Sequence, residues 1–478
     1  MPTPKHLRNS VASTVAATLL LLTLHAPAQT PAHYLPTAAS LDARPLPQWY
    51  ADAKLGIFIV WGLYSVPAWA PLLHKDHDFA SNGFIVNNPY AEWYYNVSRI
   101  PGSPTEAYNR EHYGAAHNYY DFATEFNKRA SHWDADKMAA IVQQTGAKYV
   151  VFCAKFHDGY LLWPSAVPNP NQRNITATRD LVGDMKVAME KRGVRLGLYY
   201  SGGFDWTFNR GPIERNEDYE ATKPETVAYG RYADAQIEEL ITRYHPAVLW
   251  NDIDWPRTGH PLQLMADYYN AVPDGVVDDR FTPGRPPAET HSDFQTAEYT
   301  SLKQISLRKW EANRGVGQSF GYNRAEGEPD TISARHLIHL FVDIVSKNGN
   351  LLLDVGPEAD GTIPAIQLSR IRALGDWMHV NSEAIYATTP WSRSSGESDQ
   401  GIDVRFTRKG PNLYAILLDK PHGSTILLRG IHPAPSSAIA LLGNATPLAW
   451  TQRGDDIEVQ LPPQLPDQYA YTLRLTLP

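Results

Sequence analysis

Residues 247–255 read AVLWNDIDW, an apolar run that ends in an amide, two carboxylates and two indoles. Other apolar runs end the same way, in Val60-Trp61, Phe156-His157-Asp158, Tyr199-Tyr200-Ser201, Asp279-Arg280 and Glu298-Tyr299. Asp252 and Glu298 are 46 residues apart, each at the end of such a run. Two carboxylates, several aromatic planes and scattered hydrogen-bond donors together suit glycoside hydrolysis. In that reaction a carboxylate and a carboxylic acid flank the anomeric carbon, and their separation sets the stereochemistry. About 5–5.5 Å means retention through a covalent intermediate, and about 6.5–9.5 Å means inversion. Asp254, two residues beyond Asp252, reads as a loop cap or a supporting partner rather than as the attacking group.

Such groups must be brought together by the elements that carry them. Eight apolar runs are candidate strands: 54–60, 147–154, 194–200, 247–252, 275–280, 294–299, 317–323 and 350–356. Amphipathic stretches of helical period lie between several of them; those at 131–146 and 178–193 end in glycine, and the first begins with acidic residues. Continuous rather than alternating apolar strands indicate a parallel sheet covered on its outer face. Eight units over this length predict a (β/α)8 TIM-like barrel, whose functional groups gather at the C-terminal ends of the strands. The rival, a doubly wound sheet, would carry a glycine-rich phosphate turn that the sequence lacks. From about residue 389 short alternating runs punctuated by Gly, Pro, Asn and Asp predict a C-terminal antiparallel β-sandwich domain. The expected organisation is 1–28 signal peptide, 29–388 catalytic barrel and 389–478 sandwich.

The signal expectation rests on Lys5 and Arg8, the apolar stretch Val11–Leu24 and the small residues at 26–28. Export to the periplasm or the exterior follows. Its removal takes two positive charges from a chain of formal net charge −8 and leaves about −10. Nothing in that sign points to a nucleic-acid or anionic-membrane partner, and no later segment is long and apolar enough to span a bilayer. The single cysteine, Cys153, sits in an apolar run and reads as an inert buried thiol. No His-x-His or His-Glu-x-x-His spacing marks a metal site. Asn96, Asn174 and Asn444 lie in glycosylation sequons.

Seven strings carry a resemblance. WYADAKLGIFIVWGLYSVPAWAP (49–71), EWYYN (92–96), AKFHDGYLLWPS (154–165), RDLVGDM (179–185), LYYSGGFDW (198–206), LWNDIDWP (249–256) and GVGQSFGYN (315–323) resemble the glycoside hydrolase family 29 α-L-fucosidases, in order. The resemblance covers about residues 45–395 and implies a retaining, exo-acting enzyme that needs no metal or other cofactor. It places the nucleophile at Asp252 and the acid/base at Glu298, with Glu289 and Glu311 open as alternatives. It also places sugar-binding groups at Glu92, Trp93, His157, Trp250 and Arg280, and at Tyr200 or its neighbour Tyr199. Arg280 would keep Asp252 ionised, while Glu298 would need a raised pKa to hold its proton.

The chain departs from that pattern at Val60 and Phe156, where the family carries histidines that reach sugar hydroxyls, and at Asp354, where it usually has asparagine. A buried sugar hydroxyl left unpaired costs roughly 1–3 kcal/mol. Three outcomes follow: an α-L-fucosidase, a glycosidase for a related L-sugar such as an α-L-glucoside, or a glycan-binding protein without activity. The partner expected in each case is an oligosaccharide or glycoconjugate, with homo-oligomerisation left open.

Overall fold

The computed structural model describes residues 33–73, 82–209 and 211–478. The segment read as a signal peptide lies outside them. Eight parallel strands form one sheet: β1 (Leu55–Ile59), β2 (Tyr149–Lys155), β3 (Arg195–Ser201), β4 (Val248–Asp252), β5 (Val276–Val277), β6 (Gln295–Glu298), β7 (Trp310–Gly315) and β8 (Gly349–Val355). They are ordered β5-β4-β3-β2-β1-β8-β7-β6. Runs such as LGIFI and YVVFCAK are buried along their whole length, as expected of strands covered on both faces. The sheet curls into a TIM-like barrel. Its last seam, between β5 and β6, is stitched by a loop: Asp293 exchanges two hydrogen bonds with Val277, and Asp279 accepts from the backbone and hydroxyl of Thr296.

Helices return the chain along the outside of the barrel, and side chains cap their exposed first turns. Asp134 caps Ala135–Gln144, Asp180 caps Leu181–Glu190, Thr226 caps Val227–Tyr244 and Ser333 caps Ala334–Ser346. Two expectations fail. First, among the described residues no α-helix follows β5 or β6, and the segment between these strands contains only the short 3-10 turn Pro287–Glu289. Second, 317–323 is not a strand. The seventh strand is WEANRG at 310–315, whose inward positions Glu311 and Asn313 are polar. Three donors satisfy Glu311, and Asn313 lines the cavity, so the segment shows no apolar run.

The helix Gln48–Ala53 closes the bottom of the barrel with Tyr50, whose hydroxyl donates to Glu311 at 2.8 Å. Tyr149 donates to the same carboxylate oxygen, and Trp250 Nε1 donates to the other at 3.0 Å.

The C-terminal sandwich pairs a five-stranded and a three-stranded antiparallel sheet around its own core, which includes Phe406, Leu417, Ile426 and Leu473. It is clamped to two barrel helices. Arg405 pairs with Asp343 at 2.7 Å, Trp377 Nε1 donates to the Ala470 carbonyl at 3.0 Å, and the Thr472 hydroxyl donates to Asn381 at 2.7 Å. Among the described residues no helix is long and apolar enough to cross a membrane.

Candidate active site

At the C-terminal ends of the strands a cavity of about 160 Å³ is lined by nine of the ten candidate residues. It falls below the roughly 300–1,000 Å³ typical of sites for drug-sized ligands and has the scale of a single ring. Asp252 is the last residue of β4. The chain then turns sharply, with Ile253 at φ 74°, a left-handed conformation that a β-branched residue rarely adopts. The Asp252 carboxylate accepts from Ile253 N at 2.9 Å, Arg280 Nη1 at 2.8 Å and the Tyr199 hydroxyl at 2.8 Å. Burial works against its charge. The Arg280 guanidinium and the Tyr199 hydroxyl outweigh burial and hold Asp252 below the ordinary carboxylate range.

Arg280 is shared. Its Nη2 meets Glu298 Oε2 at 3.0 Å, its Nε donates to Thr296 Oγ1 at 3.1 Å, and its guanidinium lies 4.7 Å from the Trp250 ring centroid. One cation therefore ties the tip of β4 to the tip of β6. Glu298, like Asp252, is followed by a non-glycine residue in the left-handed region, Tyr299 at φ 49°.

His157 Nε2 stands 3.9 Å from Asp252 Oδ2, and burial lowers the imidazole pKa to about 3, so the ring is neutral. Glu92 and Trp93 sit on the 3-10 turn Ala91–Trp93. The Glu92 carboxyl meets Gly321 N at 2.7 Å and the Ser319 hydroxyl at 3.0 Å, and burial pushes it up to about 7. One stretch of the remaining wall is apolar. Val60 and Phe156 lie there with Phe58 and Phe320, and Phe156 stacks on Tyr199 with ring centroids 5.5 Å apart.

A model of the family described as alpha-L-fucosidase matches residues 21–383, and the alpha-L-fucosidase C-terminal domain matches residues 399–476. The chain belongs to the α-L-fucosidase family. It is 34% identical over 481 residues to the tissue alpha-L-fucosidase of Rattus norvegicus, covering 96% of each chain. It is 32% identical over 466 residues to an alpha-L-fucosidase of Dictyostelium discoideum, covering 93% of this chain and 95% of that one. Its fold is similar to the crystal structure of Thermotoga maritima alpha-fucosidase in complex with a mechanism-based inhibitor, with a TM-score of 0.84 at 39% identity. That match covers 93% of this chain and 100% of the other. The chain is a glycoside hydrolase of this α-L-fucosidase family.

Within this α-L-fucosidase-family site one expectation is corrected and the alternatives are narrowed. Tyr200 does not line the cavity. It points outward under the helices, where its hydroxyl donates to Gln236 at 2.8 Å, and its neighbour Tyr199 faces inward. Successive residues of a strand alternate sides, and Tyr199 is in register with the inward-facing Trp250. Glu311 lies at the bottom of the barrel, held by three donors, and Glu289 is exposed on the β5–β6 connection. Neither reaches the mouth. Asp254 accepts from Trp255 N at 2.7 Å and stands 3.8 Å from Lys223 Nζ, a loop-supporting position. Asp354 is fully buried with no side-chain partner, and burial raises this carboxyl well above its ordinary range. Nothing in the structure explains the acid at that position.

Sequence reading missed Phe58, Tyr219, Asn313 and Phe320 as lining residues. Phe58 could have been found from Val60, two positions along the same strand face. Phe320 lies inside the GVGQSFGYN string. Tyr219 sits on a short helix whose sequence carries no signal of its destination.

Proposed function

We propose that this protein is an exo-acting retaining α-L-glycosidase that removes terminal α-L-fucosyl residues. The observation that carries the reading is the single Arg280 guanidinium joining Asp252 and Glu298 on the wall of a one-ring cavity. Asp252, ionised and held toward the cavity, attacks C1 to form a glycosyl-aspartate, while Glu298 protonates the departing oxygen. Glu298 then takes a proton from the water that releases the sugar. In the free site Glu298 is ion-paired to Arg280. Its acid form therefore requires that contact to loosen as substrate seats, while Arg280 stays on Asp252 and Thr296. Glu92, Trp93 and His157 supply the polar wall for the sugar hydroxyls. Export, with 29–388 as the catalytic unit and 389–478 as its sandwich, directs this activity to oligosaccharides or glycoconjugates outside the cytoplasm.

A second reading is favoured by the apolar wall. Val60 and Phe156, with Phe58 and Phe320, present carbon where the resemblance expects two imidazoles. A wall of that kind suits an L-sugar whose hydroxyls are arranged differently, such as an α-L-glucoside. A panel of aryl α-L-glycosides (fucoside, glucoside, galactoside, rhamnoside) separates the readings. The fucoside is expected to be turned over fastest, with the β-configured first product expected to be absent from NMR spectra of the initial reaction. A faster glucoside moves the assignment to the second reading, an inverted product removes the covalent intermediate, and no turnover of any member leaves a glycan-binding protein.

A further inference from the structure

Ser201 ends β3 and stands opposite Asp252 in the β3–β4 pairing. Its hydroxyl has two close partners, the Phe204 carbonyl at 2.8 Å and His157 Nδ1 at 2.6 Å. A hydroxyl carries one hydrogen, and a carbonyl oxygen can only accept. Directing the Ser201 hydrogen to Nδ1 would leave two bare oxygens facing each other at 2.8 Å. The hydrogen therefore goes to Phe204, and the contact to the ring is made by a hydrogen on Nδ1. The neutral ring has only that one hydrogen, so Nε2 is bare.

Both partners are fixed from behind. The buried Lys155 Nζ donates to the Ser201 carbonyl at 2.8 Å and pairs with the buried Asp205 at 3.0 Å. Trp206 N donates to the His157 carbonyl at 2.8 Å. On the cavity side, bare Nε2 and Asp252 Oδ2 are two acceptors 3.9 Å apart, too far for a hydrogen bond between them. A donor is wanted in that space. If Asp252 attacks C1, the sugar hydroxyl that reaches both atoms is the one on the neighbouring carbon.

We infer that Ser201 is a positioning residue: by accepting from Nδ1 it fixes the His157 tautomer, so that His157 meets the glycon as an acceptor and selects sugars bearing a hydroxyl next to the anomeric carbon. The identity of that hydroxyl rests on the proposed role of Asp252, whereas the tautomer does not.

The full chain labelled with 15N-histidine, with the His157 signals assigned by their loss in His157→Gln, reads the tautomer directly. The expected wild-type spectrum shows protonated Nδ1 and bare Nε2. Ser201→Ala should populate the Nε2–H form, which turns a donor instead of an acceptor toward the cavity. It should also reduce the kcat/KM preference for an aryl α-L-fucoside over its 2-deoxy counterpart by roughly tenfold. Ser201→Thr keeps the hydroxyl and should retain both the tautomer and the preference. A wild-type ring protonated on Nε2, or an unchanged preference in Ser201→Ala, overturns the inference. If Ser201→Ala does not fold, the wild-type spectrum and the Thr variant still decide it. A wild-type enzyme with the expected tautomer that turns over neither fucoside refutes the role of Asp252 and leaves the tautomer assignment standing.

Discussion

Two carboxylates in this barrel are almost equally buried and have opposite surroundings. Asp252 at the rim is 8% exposed and is held by a guanidinium, and Glu311 at the floor is fully buried and is held by three neutral donors, Tyr50, Tyr149 and Trp250. The cation keeps Asp252 below the ordinary range, whereas burial of Glu311 outweighs its hydrogen bonds and raises it. Asp252 also has an open cavity beside it and Glu311 does not. Burial alone does not mark a reactive acid. A charge partner together with space for a substrate does.

The same amide substitution at both places tests this contrast most severely. Asp252→Asn removes the oxygen anion proposed to attack C1 while keeping the shape, and kcat is expected to fall by on the order of 10⁴-fold or more, the scale on which loss of an essential nucleophile is felt. Wild-type rates in that variant would end the distinction.

Arg280→Met comes next. It removes the charge that opposes burial at Asp252, and kcat is expected to fall by about 10²–10³-fold, as for loss of one preorganised electrostatic contact. The sign of the pH effect follows from the lowered state of Asp252. Activity needs the ionised form, is present above its titration and is lost as pH falls through it. Without Arg280 that titration moves up, so the acidic limb of kcat/KM should shift to higher pH. A limb that stays in place would show that Arg280 does not set the charge of Asp252.

Glu311→Gln should have the smallest effect. The amide oxygen still accepts from Trp250 and its NH₂ can donate to the tyrosine oxygens, so the unfolding free energy is expected to drop by only about 1–2 kcal/mol. kcat/KM should remain within a few-fold. A buried acid whose pKa is raised contributes stability at low pH that is lost as pH rises through that raised titration. The amide should therefore flatten the alkaline side of the urea-midpoint profile. A loss of activity comparable to that of Asp252→Asn would place Glu311 in the chemistry.

Much of the architecture was legible because its strands are buried on both faces. β1, β2, β3, β4 and β8 announce themselves as continuous apolar runs. β7 was not legible, because its inward positions are polar: Glu311 is held by hydrogen bonds and Asn313 lines the cavity. The helix-free stretches around β6 were invisible for a related reason, since short strands and stitched loops leave no period to read. At the site, the residue types at strand ends picked out groups that the fold gathers around one cavity. The choice between Tyr199 and Tyr200 could not be made from type, because identical neighbours on a strand differ only in the side they face. The guanidinium bridge from Asp252 to Glu298 depends on β4 and β6 lying on opposite sides of the stitched seam, a relation that linear order does not contain.

The turns at Ile253 and Tyr299 carry a further consequence. Backbone of this kind costs about 1–3 kcal/mol per residue and persists only where the surroundings impose it. A selection for heat tolerance alone would favour glycine or asparagine at 253, whereas Tyr299 is kept by its hydroxyl's bonds to the Gly317 and Gln318 carbonyls. A hardier variant at 253 would free the backbone that follows Asp252, and slower turnover is the expected companion of its robustness.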